Sequence, residues 1–369
     1  IVLILSFLRD PLHVFFFSRG DRYICIDLFA MATTLISDIA PVMFTSDLDV
    51  IQMSTTVTNP AVSLTLDGLG TVISTKLYPL ASGSLVLYDV GKAIDRHLGN
   101  ASVATARLYV AGTQLCSFLA VKSAAKLSLD AAAWLDSRFL TSMTGERDTD
   151  TSRYEILACL NSADLEVTVT SAFLTDDNQI NLYTEPFHGD VNGDIAYINV
   201  SPGEFDRPGS LVAFTVKAGN RVQRYRVLLN PLPHTAAFIF RNNFGVWETL
   251  YCCGERTTEP QFSRSSSLVN GTFDMYDIEE TDLVTVSTGV LRHGADRLVR
   301  DLARSRSAYL INDDGTFGPH VIITDCSVKS SSADDFNPQF SFTYRLAHKG
   351  ASDLDGFKVF DLSFDDTYE

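Results

Sequence analysis

The chain has 369 residues, a formal net charge of −16, 46% hydrophobic residues and 20% charged ones. At about 100–200 residues per domain that is room for two or three domains, and the apolar fraction excludes wholesale disorder. The excess of 45 Asp and Glu over 29 Lys and Arg argues against nucleic acid or an anionic membrane as a direct partner.

The charge is unevenly spread. The last nineteen residues set Asp353, Asp355, Asp361, Asp365, Asp366 and Glu369 against Lys358, a net of −5. By contrast, Val290 to Arg306 carries five arginines against Asp296 and Asp301, a net of +3. Arg292, Arg297, Arg300 and Arg304 are the candidate interface residues of that stretch; the plainer alternative is a solvated helix face of mixed sign. The six cysteines hold no CxxC pair, so they are expected to be reduced strand residues rather than metal ligands or a disulfide framework.

Residues 1–30 carry two apolar runs, Ile1–Leu8 and Leu12–Phe17, split by Arg9, Asp10 and Pro11. Neither approaches the roughly 20 residues that span a bilayer, and the charges fall on the wrong side for a signal peptide. Met31 is the expected natural start, with residues 1–30 an upstream extension.

From Met31 the period is mostly two. Val62, Leu64 and Leu66 alternate, Asp67 to Gly70 turns, and Thr71–Tyr78 returns as a hairpin. Ser84–Tyr88 is a further strand, after which Asp89 is placed to cap a short helix ending at Gly99, with His97 packed beside its apolar stripe. Strands Val103–Val110 and Leu115–Val121 follow, then a helix from Asp130 to Leu140. Residues Met143 to Ser152 read as a linker. A second block alternates over Leu165–Phe173, Ile195–Val200 and the hairpin Leu211–Lys217 with Arg221–Leu228. There Val212, Phe214 and Val216 are expected to face Val222, Leu228 or their neighbours, with Arg221, Arg224 and Arg226 turned to solvent or to carboxylates.

The third block is the most patterned. Phe238–Phe240 and Val246–Cys253 are expected strands around Arg241 to Asn243, with shorter ones near Phe273–Tyr276 and Leu283–Ser287. Leu291, Ala295, Leu298, Val299 and Leu302 then share one stripe of a helix over about Val290–Ser305. Strands Ala308–Ile311, His320–Val328 and Gln339–Leu346 complete it. No short-period repeat is visible, which speaks against solenoids and propellers.

Motifs for chemistry are absent. No GxSxG, HExxH or phosphate loop occurs, and Gly68-x-Gly70 joins strands instead of opening a helix. Asp190-Val-Asn192-Gly-Asp194 resembles a Ca²⁺ loop in its alternating oxygens, yet Ile195 and Ser201 stand where that loop needs Gly and Glu; a turn explains it better. Trp134, Trp247, Tyr251, Phe262 and Tyr276 are candidate sugar-stacking aromatics, weighed against burial. The chain is therefore expected to be no enzyme and to use no cofactor or metal.

Phe238 to Thr249 (FIFRNNFGVWET), Ser287-Thr288-Gly289, Val321 to Asp325 and Phe340 to Arg345, with the earlier Arg138 to Thr141 and Arg224 to Val227, resemble a family of uncharacterised proteins from Bacteroidetes phages and prophages that are usually taken to be tail-associated. The likeness runs from about Ile39 to Leu346; Cys252-Cys253, the segment before Met31 and the acidic tail depart from it. It implies a virion structural role with no catalytic residues, assembled in the bacterial cytoplasm. Its partners would be other tail or baseplate proteins, and copies of itself in a ring.

The expected fold class is mainly β: tandem β-sandwich or split-barrel modules with a few short helices and one amphipathic helix in the C-terminal module. The expected domains are 1–30 as extension, 31–150 and 151–235 as sandwich modules, 236–350 as a β-rich module with the amphipathic helix, and 351–369 as acidic tail. Two other readings stand beside the tail protein: a carbohydrate-binding adhesin module that recognises a host surface, and a hydrolase whose site no motif marks.

Overall fold

The computed structural model describes residues 33–80, 83–125, 130–162, 165–292, 294–312, 315–327 and 339–348, with three short paired strands at Ile4–Ser6, His13–Phe16 and Ile24–Asp27. The acidic tail lies outside the described residues. The chain is mainly β and forms two compact units, residues 1–134 and 135–369.

In the first unit a five-stranded sheet runs in the order Val42–Phe44, Thr113–Val121, Val103–Val110, Ala61–Leu66, Gly70–Lys76. Its first strand is parallel to its neighbour and the other pairs are antiparallel. A second sheet pairs Thr33–Leu35, Val50–Thr55 and Ser84–Tyr88. Alternation along the strands sends Ile51, Met53, Leu85 and Leu87 from one sheet and Leu64, Leu66, Ala106 and Leu108 from the other into one core. Helix α1 (Val90–Leu98) closes that core with Val90, Ile94 and Leu98. Two local expectations change. Asp89 takes a left-handed conformation and its carboxylate bonds Lys92 at 2.7 Å rather than capping the helix, and His97 is exposed, with Nδ1 2.9 Å from the Ala93 carbonyl. Trp134, in helix α2 (Ala131–Ser137), packs edge-on against Phe44 at 5.6 Å.

The second unit begins with the same topology. Its five-stranded sheet is ordered Arg147–Thr149, Arg221–Val227, Ser210–Ala218, Val167–Leu174, Ile180–Phe187, again with the first strand parallel to the second. Ile156–Leu160 pairs with Ile195–Asn199 in the facing sheet. Seven strands match those of the first unit in chain order and pairing, a Greek-key arrangement of the immunoglobulin-like kind. The facing sheets differ in their third strand, Thr33–Leu35 beside Val50–Thr55 in the first unit and Asp190–Asn192 beside Ile195–Asn199 in the second. The stretch Met143–Ser152, expected as a linker, supplies the edge strand Arg147–Thr149, with Arg147 and Thr149 buried.

In the expected hairpin Phe214 and Val216 are buried, Arg224 is exposed and Arg226 meets the Asp148 carboxylate, as the pattern suggests, but Arg221 and Val222 exchange places. Along Arg221–Val227 it is Arg221, Gln223, Tyr225 and Val227 that are buried, while Val222 is 47% exposed. Tyr225 stacks on Phe214 at 4.4 Å, and Arg221 donates through Nε to the Leu135 carbonyl at 2.7 Å. Val222 shares a strand face with Arg224 and Arg226, and the aromatic stack with a satisfied arginine outweighs the burial of one valine.

A seven-stranded antiparallel sheet completes the unit in the order Trp247–Cys252, Ala236–Arg241, Ala308–Ile311, Phe317–Ser327, Gln339–Leu346, Thr272–Val290, Arg256–Val269. Its two edge strands are consecutive in the chain, and the amides of Cys253 and Gly254 donate to the carbonyls of Thr288 and Ser287, each at 3.1 Å. The sheet thus rolls into a split barrel. Phe238 touches Phe342 and Tyr344 across its interior at 5.3 and 5.2 Å. Helix α3 (Asp296–Arg304) adds Leu298, Val299 and Leu302 to that core, led in by Ala295. It is shorter than the pattern suggested, because Val290 still belongs to the preceding strand.

Candidate assembly surface

The barrel is joined to the second sandwich by buried polar groups. Arg147, on the sandwich edge strand, is 4% exposed and ion-pairs with Glu248, 2% exposed, on the barrel strand Trp247–Cys252. Thr141 donates to the same carboxylate oxygen (Oε1) and accepts from Arg147 Nη2 at 2.7 Å, while Asn242 Nδ2 donates to Oε2 at 2.7 Å and to the Leu140 carbonyl at 2.8 Å. Burial alone would disfavour the Arg147 cation, but Tyr225, Glu248 and Glu155 around it outweigh that and hold it protonated. Burial raises the pKa of Glu155, opposed by Arg147 and Arg153. From α3, Asp301 turns inward to accept from Ser142 Oγ at 2.5 Å and from the Asn243 amide at 3.3 Å. Burial pushes its pKa up to about 6, against the Ser142 hydrogen bond. Asp301 is therefore a core group rather than part of a solvated helix face of mixed sign.

The four candidate arginines take different places. Arg292, before α3, binds Glu146 and lies 3.6 Å from Asp148. Arg300 lies 3.8 Å from Asp296 one turn back. Arg297 and Arg304 are exposed. The structure does not gather them into one site: Arg292 is tied to the loop before the sandwich edge strand and that strand itself, and the other three lie along α3.

On the barrel exterior Trp247, Tyr309, Phe317 and His320 form an aromatic cluster, with ring centroids 4.9–5.9 Å apart. The Arg241 guanidinium lies 4.3 Å from the Trp247 ring centroid, and Phe317 is 50% exposed. Tyr251 is buried instead, its hydroxyl bound to the Tyr154 amide at 2.7 Å.

One exposed element is longer than its sequence pattern suggests. The stretches near Phe273–Tyr276 and Leu283–Ser287 belong to one continuous strand, Thr272–Val290, paired along its length with Arg256–Val269. Asn270 and Gly271, at φ 53° and 82°, make the two-residue turn. Only Val284–Val290 also pairs with the neighbouring strand Gln339–Leu346, so residues 259–283 project from the barrel as a two-stranded arm. The register pairs Phe262 with Glu280, Arg264 with Ile278, Ser266 with Met275 and Leu268 with Phe273, with a bulge at the Ser265/Ser266 step. Opposed residues of an antiparallel pair share a face. The bulge corrects the phase, so Phe262, Leu268, Phe273, Met275 and Ile278 all lie on one face, each at least 50% exposed. Gln261, Ser263, Ser265, Ser267, Glu279 and Thr281 take the other. The Asn-Gly dipeptide between alternating residues was the sequence signal for this hairpin.

No family model and no curated protein matches the chain. Among solved structures, one described as giving structural insight into host cell surface retention of a 1.5-MDa bacterial ice-binding adhesin matches 67% of this chain and 88% of its own, at 11% identity and a TM-score of 0.15. At that score the likeness carries no argument about fold or function.

Proposed function

We propose that the protein is a structural subunit of a phage or prophage tail or baseplate, assembled in the bacterial cytoplasm, that acts by binding other tail subunits and copies of itself rather than by catalysis. The observation that carries this reading is the arm: a projecting hairpin with five exposed apolar side chains on one face, among Arg264, Ser266 and Glu280. A soluble chain rarely leaves such a patch in water unless it marks an interaction site. The motif resemblance set out above supports the same reading, and the exposed Arg297 and Arg304 on α3 offer a second contact. Gradient-purified particles from a host carrying the gene, analysed by mass spectrometry, should contain this chain in fixed proportion to the tail proteins. Its absence from intact tails would overturn the proposal.

A second reading, a carbohydrate-binding adhesin module, is favoured by the aromatic cluster around Trp247 and Phe317, since an exposed ring is a surface on which a sugar can stack. Glycan-array binding that is lost in Phe317→Ala would support it; no binding to any glycan would remove it.

A further inference from the structure

The arm has two outer edges, and among the described residues neither is paired beyond Val284. Each offers a row of backbone donors and acceptors over about 35 Å, at a strand rise of about 3.3 Å. Open edges of this kind are templates for another strand. Pro260 interrupts one row, leaving residues 261–269 continuous.

The two edges differ in charge. Within the arm the strand Arg256–Val269 carries Arg264 against Glu259, a net of zero, and its continuous stretch 261–269 carries Arg264 alone, +1. Its partner Thr272–Val290 carries Asp274, Asp277, Glu279, Glu280 and Asp282 and no basic residue, a net of −5.

We propose that arms of neighbouring copies of this chain pair edge to edge, the acidic strand of one against the positive stretch 261–269 of the next, in a head-to-tail series that closes into a ring. This rests on the assembly reading above and names its partner as a second copy. The strands of a hairpin run in opposite directions, so a copy set beside a copy continues the antiparallel ladder and alternates the two charge types strand by strand. Continuing the ladder also keeps the five apolar side chains of every arm on one face, together with Arg264, Ser266 and Glu280, and Gln261, Ser263, Ser265 and Ser267 on the other. Closure removes the open edges. A two-fold pair through the acidic strands would set like charges opposite one another, which is destabilising. A two-fold pair through the positive stretches would leave both acidic edges uncovered.

Full-length protein is examined by mass photometry and negative-stain microscopy. The wild type is expected to form closed oligomers. Arg264→Glu, and separately Glu280→Lys with Asp282→Lys, should each raise the concentration for half-assembly about tenfold or more while keeping the wild-type circular dichroism and melting temperature. Mixing the two variants should restore assembly, because one interface then has both charges reversed and the other has both native. Neither misfolding nor a lost contact within one arm can be repaired by mixing. Failure to recover on mixing, a closed two-fold dimer, or assembly indifferent to both variants would overturn the proposal. A wild-type monomer that still binds other tail subunits overturns the ring and leaves the assembly reading standing; a monomer that binds none overturns both.

Discussion

Arg147 is a cation withdrawn from water with Glu248 against it and Glu155 close by. Its value lies less in net stability than in what its loss exposes. Removing one partner of a buried pair strands the other, at a cost of about 3–5 kcal/mol, whereas replacing both by well-packed apolar groups is often neutral. Glu248→Gln is therefore expected to destabilise the second unit by about that amount in urea unfolding, and Arg147→Met with Glu248→Leu by much less. Asp301 has the opposite sign. Its pKa is pushed up to about 6 in the folded protein from an ordinary value of 3.8, so between those pH values the folded state binds more protons than the unfolded. The contribution of this group to stability falls as pH rises through that window and stays lost above it, at about 3 kcal/mol for two units. Asp301→Asn should match the wild type near pH 4 and exceed its melting temperature by several degrees at pH 7; a pH-independent difference would count against this. None of these partners was legible in the sequence, because Thr141, Arg147, Asn242 and Glu248 meet only through the packing of two modules.

At the scale of elements, the rolled barrel depends on a close approach at its seam. A Cβ on Gly254 would lie 2.6 Å from the Ser287 side chain and 2.8 Å from its carbonyl oxygen. Gly254→Ala must push the two strands apart, and a loss of about 1–3 kcal/mol is expected by thermal unfolding, along with faster amide exchange at Cys253 and Ser287. Helix α3 was legible from its stripe, since Leu298, Val299 and Leu302 are all buried; its start was not, because strand Thr272–Val290 runs on through Val290. Its exposed charges give a separate test. Arg297→Glu with Arg300→Glu should weaken assembly while the chain stays folded, and unchanged assembly would mark a solvated face. The arm escaped pattern reading for a clear reason: its acidic strand mixes charges with apolar residues, and the bulge breaks a strict period of two.

Over the whole molecule, tandem sandwich modules were legible in the sequence from alternation and turn placement. That the two share one strand order was not, since strand order depends on pairings between residues far apart in the chain. Within the second unit the polar joint couples sandwich to barrel. Calorimetry should show residues 135–348 melting in one transition, and Glu248→Gln should divide it into two. By itself the sequence determined the β class, most strand positions and the amphipathic helix, because side-chain period and turn residues act locally. Tertiary structure alone decided that Arg221 rather than Val222 turned inward, which charges were buried, and that one hairpin was left standing out from the barrel. Those outcomes depend on what lies opposite each residue in space, which no local period encodes.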